Sequence, residues 1–167
     1  MNDELTAVDI KKMQEEVEYR RLTLRPQLIE DVKVAREFGD LSENFEYKAA
    51  KREKNRNDSR IRYLERMIKT AHVIEDNSAA DEVGLFDKVT IYIEEDDEEQ
   101  EIRIVTTLRQ NALKGLISKE SPVGKAVMGH KAGERVLVEV NESYSYYIVI
   151  RKVEKGADDD SLPISSY

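Results

Sequence analysis

The chain has 167 residues, enough for one domain of ordinary size or two small ones. Its formal net charge is −8, from 27 Lys and Arg against 35 Asp and Glu, and this balance argues against a general nucleic-acid coat protein. The absence of cysteine excludes disulfide scaffolds, thiolate nucleophiles and cysteine-ligated zinc sites. No run approaches the roughly 18 apolar residues that a membrane span needs, and no signal-peptide pattern opens the chain, so we expect a cytoplasmic protein with no membrane partner.

Two long segments near the start show the apolar spacing of helices. The first carries apolar residues at Ile10, Met13, Val17, Leu24, Leu28, Val32 and Ala35. The second alternates steps of three and four, as a heptad repeat does, at Tyr47, Ala50, Lys54, Asn57, Ile61, Leu64, Ile68 and Ala71. Because both approach a short turn near Gly39, they are predicted to form an antiparallel coiled-coil hairpin with arms of about 40 Å. Pro26 is predicted to kink or interrupt the first arm around residues 24–25.

The periodicity changes after the hairpin. We assign residues 1–75 to the hairpin, with its tip at about 38–44, residues 76–85 to a linker, residues 86–156 to a second domain and the acidic residues 157–167 to a disordered tail. Four alternating or apolar runs in the second domain predict antiparallel strands, namely "DKVTIYI", "EIRIVTT", "RVLVEV" and "YYIVIRKVE". The predicted class is therefore α+β.

One short helix is predicted between these strands, in "SPVGKAVMG". Ser121 occupies the N-cap position and Pro122 the first helical position, where a missing amide hydrogen costs nothing. Gly129 is expected to end the helix.

The charge is divided along the chain. Residues 44–72 carry nine Lys and Arg against four Asp and Glu, a net of +5, whereas residues 73–167 carry eleven against twenty, a net of −9. The basic side chains of the second arm form either a solvated helix face or a surface that tracks an anionic partner such as nucleic acid. Those predicted to be available to a partner are Lys48, Lys51, Arg52, Arg56 and Arg60.

The turn between the arms carries more acid than a turn needs, with Asp40, Glu43 and Glu46 close to Gly39. One interpretation is a capping box, in which Asp40 and Glu43 satisfy the amide groups that open the second arm. The other is half of a magnesium site, because Mg²⁺ binds through one or two carboxylates together with phosphates and water. The two roles are not exclusive.

Two stretches resemble the Gre family of bacterial transcript cleavage factors, more closely its GreA branch than its GreB branch. They are "GDLSENFEYKAAK", similar to the tip motif of that family, and "ISKESPVGKAVMGHKAGERVLVEV", similar to its C-terminal motif. The match runs from about residue 8 to 155. The resemblance implies a coiled-coil hairpin followed by an FKBP-like domain of strands with one short helix.

The resemblance also implies a function. In that family the globular domain docks at the rim of the secondary channel of bacterial RNA polymerase and the hairpin enters the channel. The tip acids help to hold the second catalytic Mg²⁺ and to activate a water, so that the polymerase cleaves the 3′ end of a backtracked nascent RNA and an arrested complex is rescued. The chain would then be an accessory factor and no enzyme by itself, acting as a monomer and sharing Mg²⁺ with the polymerase without binding a cofactor alone.

The family roles fall on particular residues of this chain. The resemblance makes Asp40 and Glu43 the catalytic and metal-binding acids, and it places Arg36 and Lys51 at basic positions beside the tip. Together with Lys48 and Arg52 of the second arm, these two are predicted contacts to RNA or polymerase, and Ser121 and Pro122 are predicted to dock on the polymerase. Glu46 and Tyr47 also match the tip motif, although the seam position of Tyr47 favours packing. The stretch "TTLRQNAL" departs from the acidic stretch expected there, and the tail after Lys155 is extra.

Two other functions are open to a chain of this kind. A structural or inhibitory binder of the polymerase channel would use the same fold without promoting cleavage. An independent enzyme is disfavoured because His72 and His130, the only histidines, lie in different predicted domains and no P-loop or nucleophile elbow occurs. Neither histidine is expected to be a ligand, and a zinc-bearing channel factor is excluded by the missing cysteines.

Overall fold

The computed structural model describes residues 3–39, 44–158 and 161–166, and the chain divides into two compact units. The first unit comprises Met1–Asp3 and Ile10–Ala71, and the second comprises Glu4–Asp9 and His72–Tyr167. Across the described ranges, no helix combines the length and the apolar character that crossing a membrane demands.

The first unit is built on a long helical hairpin, as the heptad spacing predicted. Its first arm consists of α1 (Ala7–Tyr19), a π-helical turn (Arg20–Leu24) and α2 (Arg25–Arg36), and its second arm is the single helix α3 (Phe45–Thr70).

The π-helical turn ends two residues before Pro26, which confirms the predicted interruption of the first arm. Proline has no amide hydrogen to donate to the preceding turn. The amide of Arg25 donates instead to the carbonyl of Arg20, five residues back, and this is the hydrogen-bond spacing of a π-helix.

The seam between the arms combines apolar packing with polar cross-links. Ile61 and Leu64 are buried, as their heptad positions predicted, and so is the polar Asn57. The amide oxygen of Asn57 accepts from Arg20 Nη1 at 2.9 Å, and its Nδ2 donates to the Arg20 carbonyl at 3.2 Å. These bonds satisfy the polar group of Asn57 inside a narrow apolar seam.

Carboxylates on both arms pair with arginines across the seam. Glu16 accepts from Arg60 Nε at 2.8 Å, and Asp58 accepts from Arg25 Nε at 2.9 Å. Burial opposes ionisation of Glu16, but hydrogen bonds from Arg60 and Arg20 outweigh it and hold the pKa of Glu16 below its ordinary value. The pKa of Asp58 is also lowered, since Arg25 and Lys54 outweigh its burial.

The second unit contains a five-stranded sheet and one short helix, which confirms the α+β prediction. The strands are β3 (Lys88–Ile93), β4 (Glu98–Val105), β5 (Leu116–Ser118), β6 (Arg135–Asn141) and β7 (Tyr144–Glu154), and the helix is α4 (Pro122–Val127). The strand order is β5-β4-β3-β7-β6. Three neighbouring pairs are antiparallel, whereas β4 and β5 are parallel. The sheet is therefore mixed, and β5 is a strand that the sequence did not predict.

One face of this sheet forms the core of the second unit. Alternate residues of the strands are buried there, including Val89, Ile91, Ile104, Val138, Ile148 and Ile150. Val83 and Leu85 belong to the same core, although both lie in the segment 76–85 that the sequence assigned to a linker. The buried carboxylate of Asp87 stabilises that segment, because it accepts a hydrogen bond from the amide of Gly84 at 2.7 Å.

The segment Glu4–Asp9, near the start of the chain, belongs to the second unit. Strand β1 (Glu4–Leu5) pairs in parallel with β2 (His72–Val73). Thr6 and Asp9 then form a reciprocal capping pair at the start of α1, because Thr6 N donates to Asp9 Oδ2 at 3.0 Å and Asp9 N donates to Thr6 Oγ1 at 3.2 Å.

A buried arginine joins this start to the end of the chain. Arg109 is 1% exposed, and its Nε lies 2.8 Å from Asp9 Oδ1. Its Nη1 donates to Asp158 Oδ1 at 2.6 Å, and Thr6 Oγ1 donates to the other oxygen of Asp158 at 2.5 Å. The sequence predicts disorder for residues 157–167, yet Asp158 makes these bonds and Ser165 N donates to the Leu108 carbonyl at 2.7 Å.

Candidate functional site

The predicted site lies at the turn between the two arms of the hairpin. After α2 the chain turns with two backbone hydrogen bonds: the amide of Glu37 donates to the Val34 carbonyl, and the amide of Phe38 donates to the Ala35 carbonyl. Gly39 follows with a φ of 132°, a conformation that favours glycine. Asp40 and Glu43, the predicted catalytic and metal-binding acids, lie outside the described residues.

The helix after the turn is capped by Asn44, whereas the capping-box interpretation falls on Asp40 and Glu43, outside the described residues. Asn44 Oδ1 accepts from the Tyr47 amide at 2.9 Å, which is the usual N-cap hydrogen bond. Asn44 Nδ2 donates to the carbonyl of Ala35 at 2.6 Å and so links the second arm to the first. The N-cap hydrogen bond of α3 is therefore supplied by Asn44.

Tyr47 brings two predicted contact residues together. The guanidinium carbon of Arg36, the last residue of α2, lies 5.4 Å from the Tyr47 ring centre, and Lys51 Nζ lies 5.9 Å from it. A hydrogen bond from Arg36 is the main cause that lowers the pKa of the Tyr47 hydroxyl, and the charge of Lys51 assists it. Tyr47 is half-buried at its seam position, so it packs against the first arm while it positions two cations.

Basic side chains continue from there along α3. Lys48, Lys51, Arg52 and Arg56 are exposed and line one shallow groove. Their spacing of three or four residues places them on one face of the helix. Arg60, which the sequence grouped with them, is buried against Glu16 instead, and that ion pair withdraws it from this surface.

Two exposed phenylalanines at the turn were missed by the sequence analysis. Phe38 is 70% exposed and Phe45 is 80% exposed. Lys48 Nζ lies 5.8 Å from the centre of the Phe45 ring. Their position in the sequence could have indicated this exposure, because both residues fall outside the seam of the hairpin and within a polar stretch.

The second predicted site is the start of α4. Ser121 Oγ accepts from the Gly124 amide at 3.1 Å and donates to the Ser118 carbonyl at 2.7 Å, so the predicted N-cap is confirmed. Pro122 opens the helix and is exposed, and Gly129 follows the helix with a φ of 79°. A side chain on Gly124 would meet the Ser118 carbonyl, because a Cβ atom there would lie 2.1 Å from that oxygen. Docking by Ser121 and Pro122 remains a prediction.

The remaining candidate ligands are dispersed. In the part of the chain that the structure describes, no group of three or more Asp, Glu or His side chains is arranged to hold a metal ion. His130 Nδ1 lies 3.1 Å from Glu134 Oε2, and His72 lies on β2.

Comparison with known proteins covers nearly the whole chain. Residues 4–73 match the N-terminal family of GreA/GreB transcription elongation factors, and residues 77–155 match the C-terminal family. Transcription elongation factor GreA of Streptococcus pneumoniae is 39% identical over 154 residues, or 92% of this chain and 96% of that protein. The protein of the same name from Caldanaerobacter subterraneus subsp. tengcongensis is 44% identical over 137 residues, or 81% of this chain and 87% of that protein.

Among solved structures, GreA factor homolog 1 of Thermus thermophilus matches 93% of this chain and 100% of its own at 23% identity. The TM-score is 0.43, a likeness too loose to carry a functional argument. The two family matches and the curated relatives carry the conclusion: the chain belongs to the GreA/GreB family of transcription elongation factors.

Proposed function

We propose that the chain binds bacterial RNA polymerase at its secondary channel and stimulates the polymerase to cleave the 3′ end of backtracked nascent RNA. The observation that carries this proposal is the cap of α3. Because Asn44 accepts the Tyr47 amide, the N-cap hydrogen bond of α3 comes from a residue other than the acids of the turn. Their presence is then better explained by a ligand outside the chain.

The chemistry of the two acids suits magnesium. Asp40 and Glu43 offer hard carboxylate oxygens, and Mg²⁺ typically binds through one or two carboxylates together with phosphates and water. We propose that these two residues hold a magnesium ion that is shared with the polymerase. Bound magnesium would supply the charge stabilisation and the activated water that two-metal phosphoryl chemistry requires.

The other residues of the turn and of α3 orient the substrate. Arg36 precedes the turn and Lys51 follows it in the sequence, and both contact the Tyr47 ring. Two positive charges are therefore held together by residues that flank the acids in the sequence. Lys48 and Arg52 extend this positive surface along α3. Positive side chains in a row attract the phosphates of an extruded RNA strand, and salt weakens that attraction.

Docking is assigned to the second unit. The rigid start of α4 presents Pro122 to solvent, with Ser121 held by two hydrogen bonds. A fixed, exposed turn of this kind meets a partner with little loss of conformational entropy.

A channel binder that does not promote cleavage remains the second candidate, because it would use the same basic hairpin. One experiment separates the two. Purified protein is added with Mg²⁺ to a stalled, backtracked elongation complex, and release of a short 3′ RNA fragment is followed. We expect release to be faster than without the protein, whereas saturating binding without faster release would support the inhibitory candidate.

A further inference from the structure

Phe38 and Phe45 are exposed without a structural need for phenylalanine at either position. A phenylalanine buries a large apolar area in a core or an interface, so two rings that remain 70% and 80% exposed contribute little to this fold. Both belong to the turn region, one at each side of residues 40–43. Their exposure therefore points to a partner that covers them.

The surroundings of Phe45 indicate the chemistry of that partner. Phe45 is the first residue of α3, and the Asn44 cap holds the first turn of that helix in place. Lys48 Nζ lies 5.8 Å from its ring centre, and Lys48 opens the groove that Lys51, Arg52 and Arg56 continue. Aromatic rings beside a row of cations are the combination that binds single-stranded nucleic acid, because bases stack on the rings while phosphates meet the cations.

We infer that Phe45, assisted by Phe38, stacks on an unpaired base at the 3′ end of the nascent RNA while Lys48 contacts a neighbouring phosphate. This inference rests on the proposed function, since it takes the extruded RNA as the strand that reaches the turn. It adds a positioning role that the acids alone do not provide. A stacked base fixes the strand beside the turn, and fixed geometry is what an in-line reaction needs.

A protein pocket is the competing occupant, and the charge beside the ring argues against it. An apolar pocket that enclosed Phe45 would also remove water from the Lys48 ammonium, which is costly without an acidic partner. A nucleotide presents a base to the ring and a phosphate to the ammonium together, so both groups are satisfied.

The first test follows stacking directly and needs no cleavage. A backtracked elongation complex is assembled with 2-aminopurine at the RNA 3′ end and without Mg²⁺, and its fluorescence is recorded as the protein is added. We expect the wild-type chain and Phe45→Tyr to quench the fluorescence. Phe45→Leu, which keeps an apolar side chain without an aromatic ring, should lose most of the quenching. Equal quenching by Phe45→Leu, or none by the wild type, would overturn the inference.

The second test follows positioning. We expect Phe45→Leu to raise the protein concentration needed for half-maximal cleavage by about 10-fold, in line with the loss of one base–aromatic stack. Binding to polymerase that holds no extruded RNA should be unchanged. Leu22→Ala is a matched control, because Leu22 is 66% exposed in the π-helical turn of the first arm, and it should behave as the wild type.

The two proposals fail differently. Cleavage that Phe45→Leu leaves unaltered would contradict the stacking inference and favour a purely apolar or structural role. Quenching without any stimulated cleavage by the wild-type chain would contradict the proposed function while the stacking contact stands. Circular dichroism of each variant controls for loss of the helix.

Discussion

Asn44 connects the two arms of the hairpin through a single side chain. Its Oδ1 caps α3 and its Nδ2 reaches the carbonyl of Ala35, a buried residue near the end of α2. The stretch from Asp40 to Asn44 contains three residue types that cap helices well, and Asn44 is the one that directly precedes the first turn of α3. A sequence with several capping candidates does not decide among them, so the position of the N-cap at Asn44 required the structure.

We predict that Asn44→Ala lowers the free energy of unfolding by about 1 kcal/mol, the usual loss for removal of an N-cap. Asn44→Asp keeps the oxygen acceptor but loses the donor to the Ala35 carbonyl, so its loss should be smaller. Urea unfolding followed by the helical circular dichroism signal measures both. Equal stability of Asn44→Ala and the wild type would show that another residue supplies the cap.

Arg109 is the second residue whose role depends on distant partners. It is fully buried between the carboxylates of Asp9 and Asp158, and the Phe86 ring centre lies 5.4 Å from its guanidinium carbon. Neither partner is near Arg109 in the sequence. The sequence therefore showed that "TTLRQNAL" departs from the acidic stretch expected there, but it did not explain the arginine. The structure explains it, because two acids of the second unit neutralise this one cation.

We predict that Asp9→Asn destabilises the protein by about 3 kcal/mol, because it leaves the buried charge of Arg109 incompletely compensated. Asn keeps the shape of Asp9 and can still accept from Thr6. Asp158→Asn should cost less, since Asp158 retains some exposure to water. Thermal unfolding compares both with Glu139→Gln, a change of an exposed carboxylate on β6 that should have little effect. A control that destabilises as much as Asp9→Asn would contradict a specific role for the buried pair.

At the scale of elements, the sequence predicted the helices and strands whose apolar pattern repeats over many residues. The heptad spacing of α3 and the alternation along β3, β4, β6 and β7 extend over many residues, and these elements were predicted. Strand β5 has only three residues, too few for a pattern, and pairs with β4 by contacts that no local signal shows. Val83 and Leu85 are two apolar residues near the end of a segment assigned to a linker. They are buried in the core that the five-stranded sheet forms, and no local pattern shows this.

The carboxylates of the hairpin predict how its stability changes with pH. The folded pKa values of Glu16 and Asp58 lie below their ordinary values of 4.5 and 3.8, which apply in the unfolded chain. Their contribution is therefore complete above those ordinary values and is lost as the pH falls through the lower folded values. We expect unfolding in urea to become easier below about pH 4.5. Glu16→Gln should flatten this dependence, whereas Glu18→Gln, an exposed change on the same helix, should not. Parallel pH curves for Glu16→Gln and the wild type would contradict the assignment.

The basic face of α3 carries a prediction about RNA. Replacing Lys51 and Arg52 together with glutamine should weaken stimulated cleavage most for deeply backtracked transcripts, whose longer extruded strand meets more of the groove. The dependence of cleavage on salt should also fall, by a slope of about 1 to 2 on logarithmic axes, as two phosphate contacts disappear. The matched control replaces Arg62 and Lys69 with glutamine. Both are exposed residues farther along α3, so the control removes the same amount of charge. An equal loss at every backtracked length would reject a guiding role for Lys51 and Arg52.

At the scale of the whole molecule, charge divides between the two parts of the chain. The second arm of the hairpin is basic, whereas residues 73–167 carry a net charge of −9. A net acidic protein can therefore still present a local positive surface to RNA, because attraction depends on the nearest charges at physiological salt. The family was recognisable from two motifs, but the cap of α3, the exposed phenylalanines and the buried arginine required the structure.

We propose above all that Asp40 and Glu43 serve a metal ion shared with the polymerase. The most direct measurement is the rate of stimulated RNA cleavage as a function of Mg²⁺ concentration, for the wild type, Asp40→Asn and Glu43→Gln, with Glu30→Gln as an exposed carboxylate control in α2. Each tip variant should bind polymerase normally, cleave about 100-fold more slowly at low Mg²⁺ as an added metal ligand is lost, and recover part of that loss at high Mg²⁺. Tip variants that cleave like Glu30→Gln at every Mg²⁺ concentration would contradict the claim.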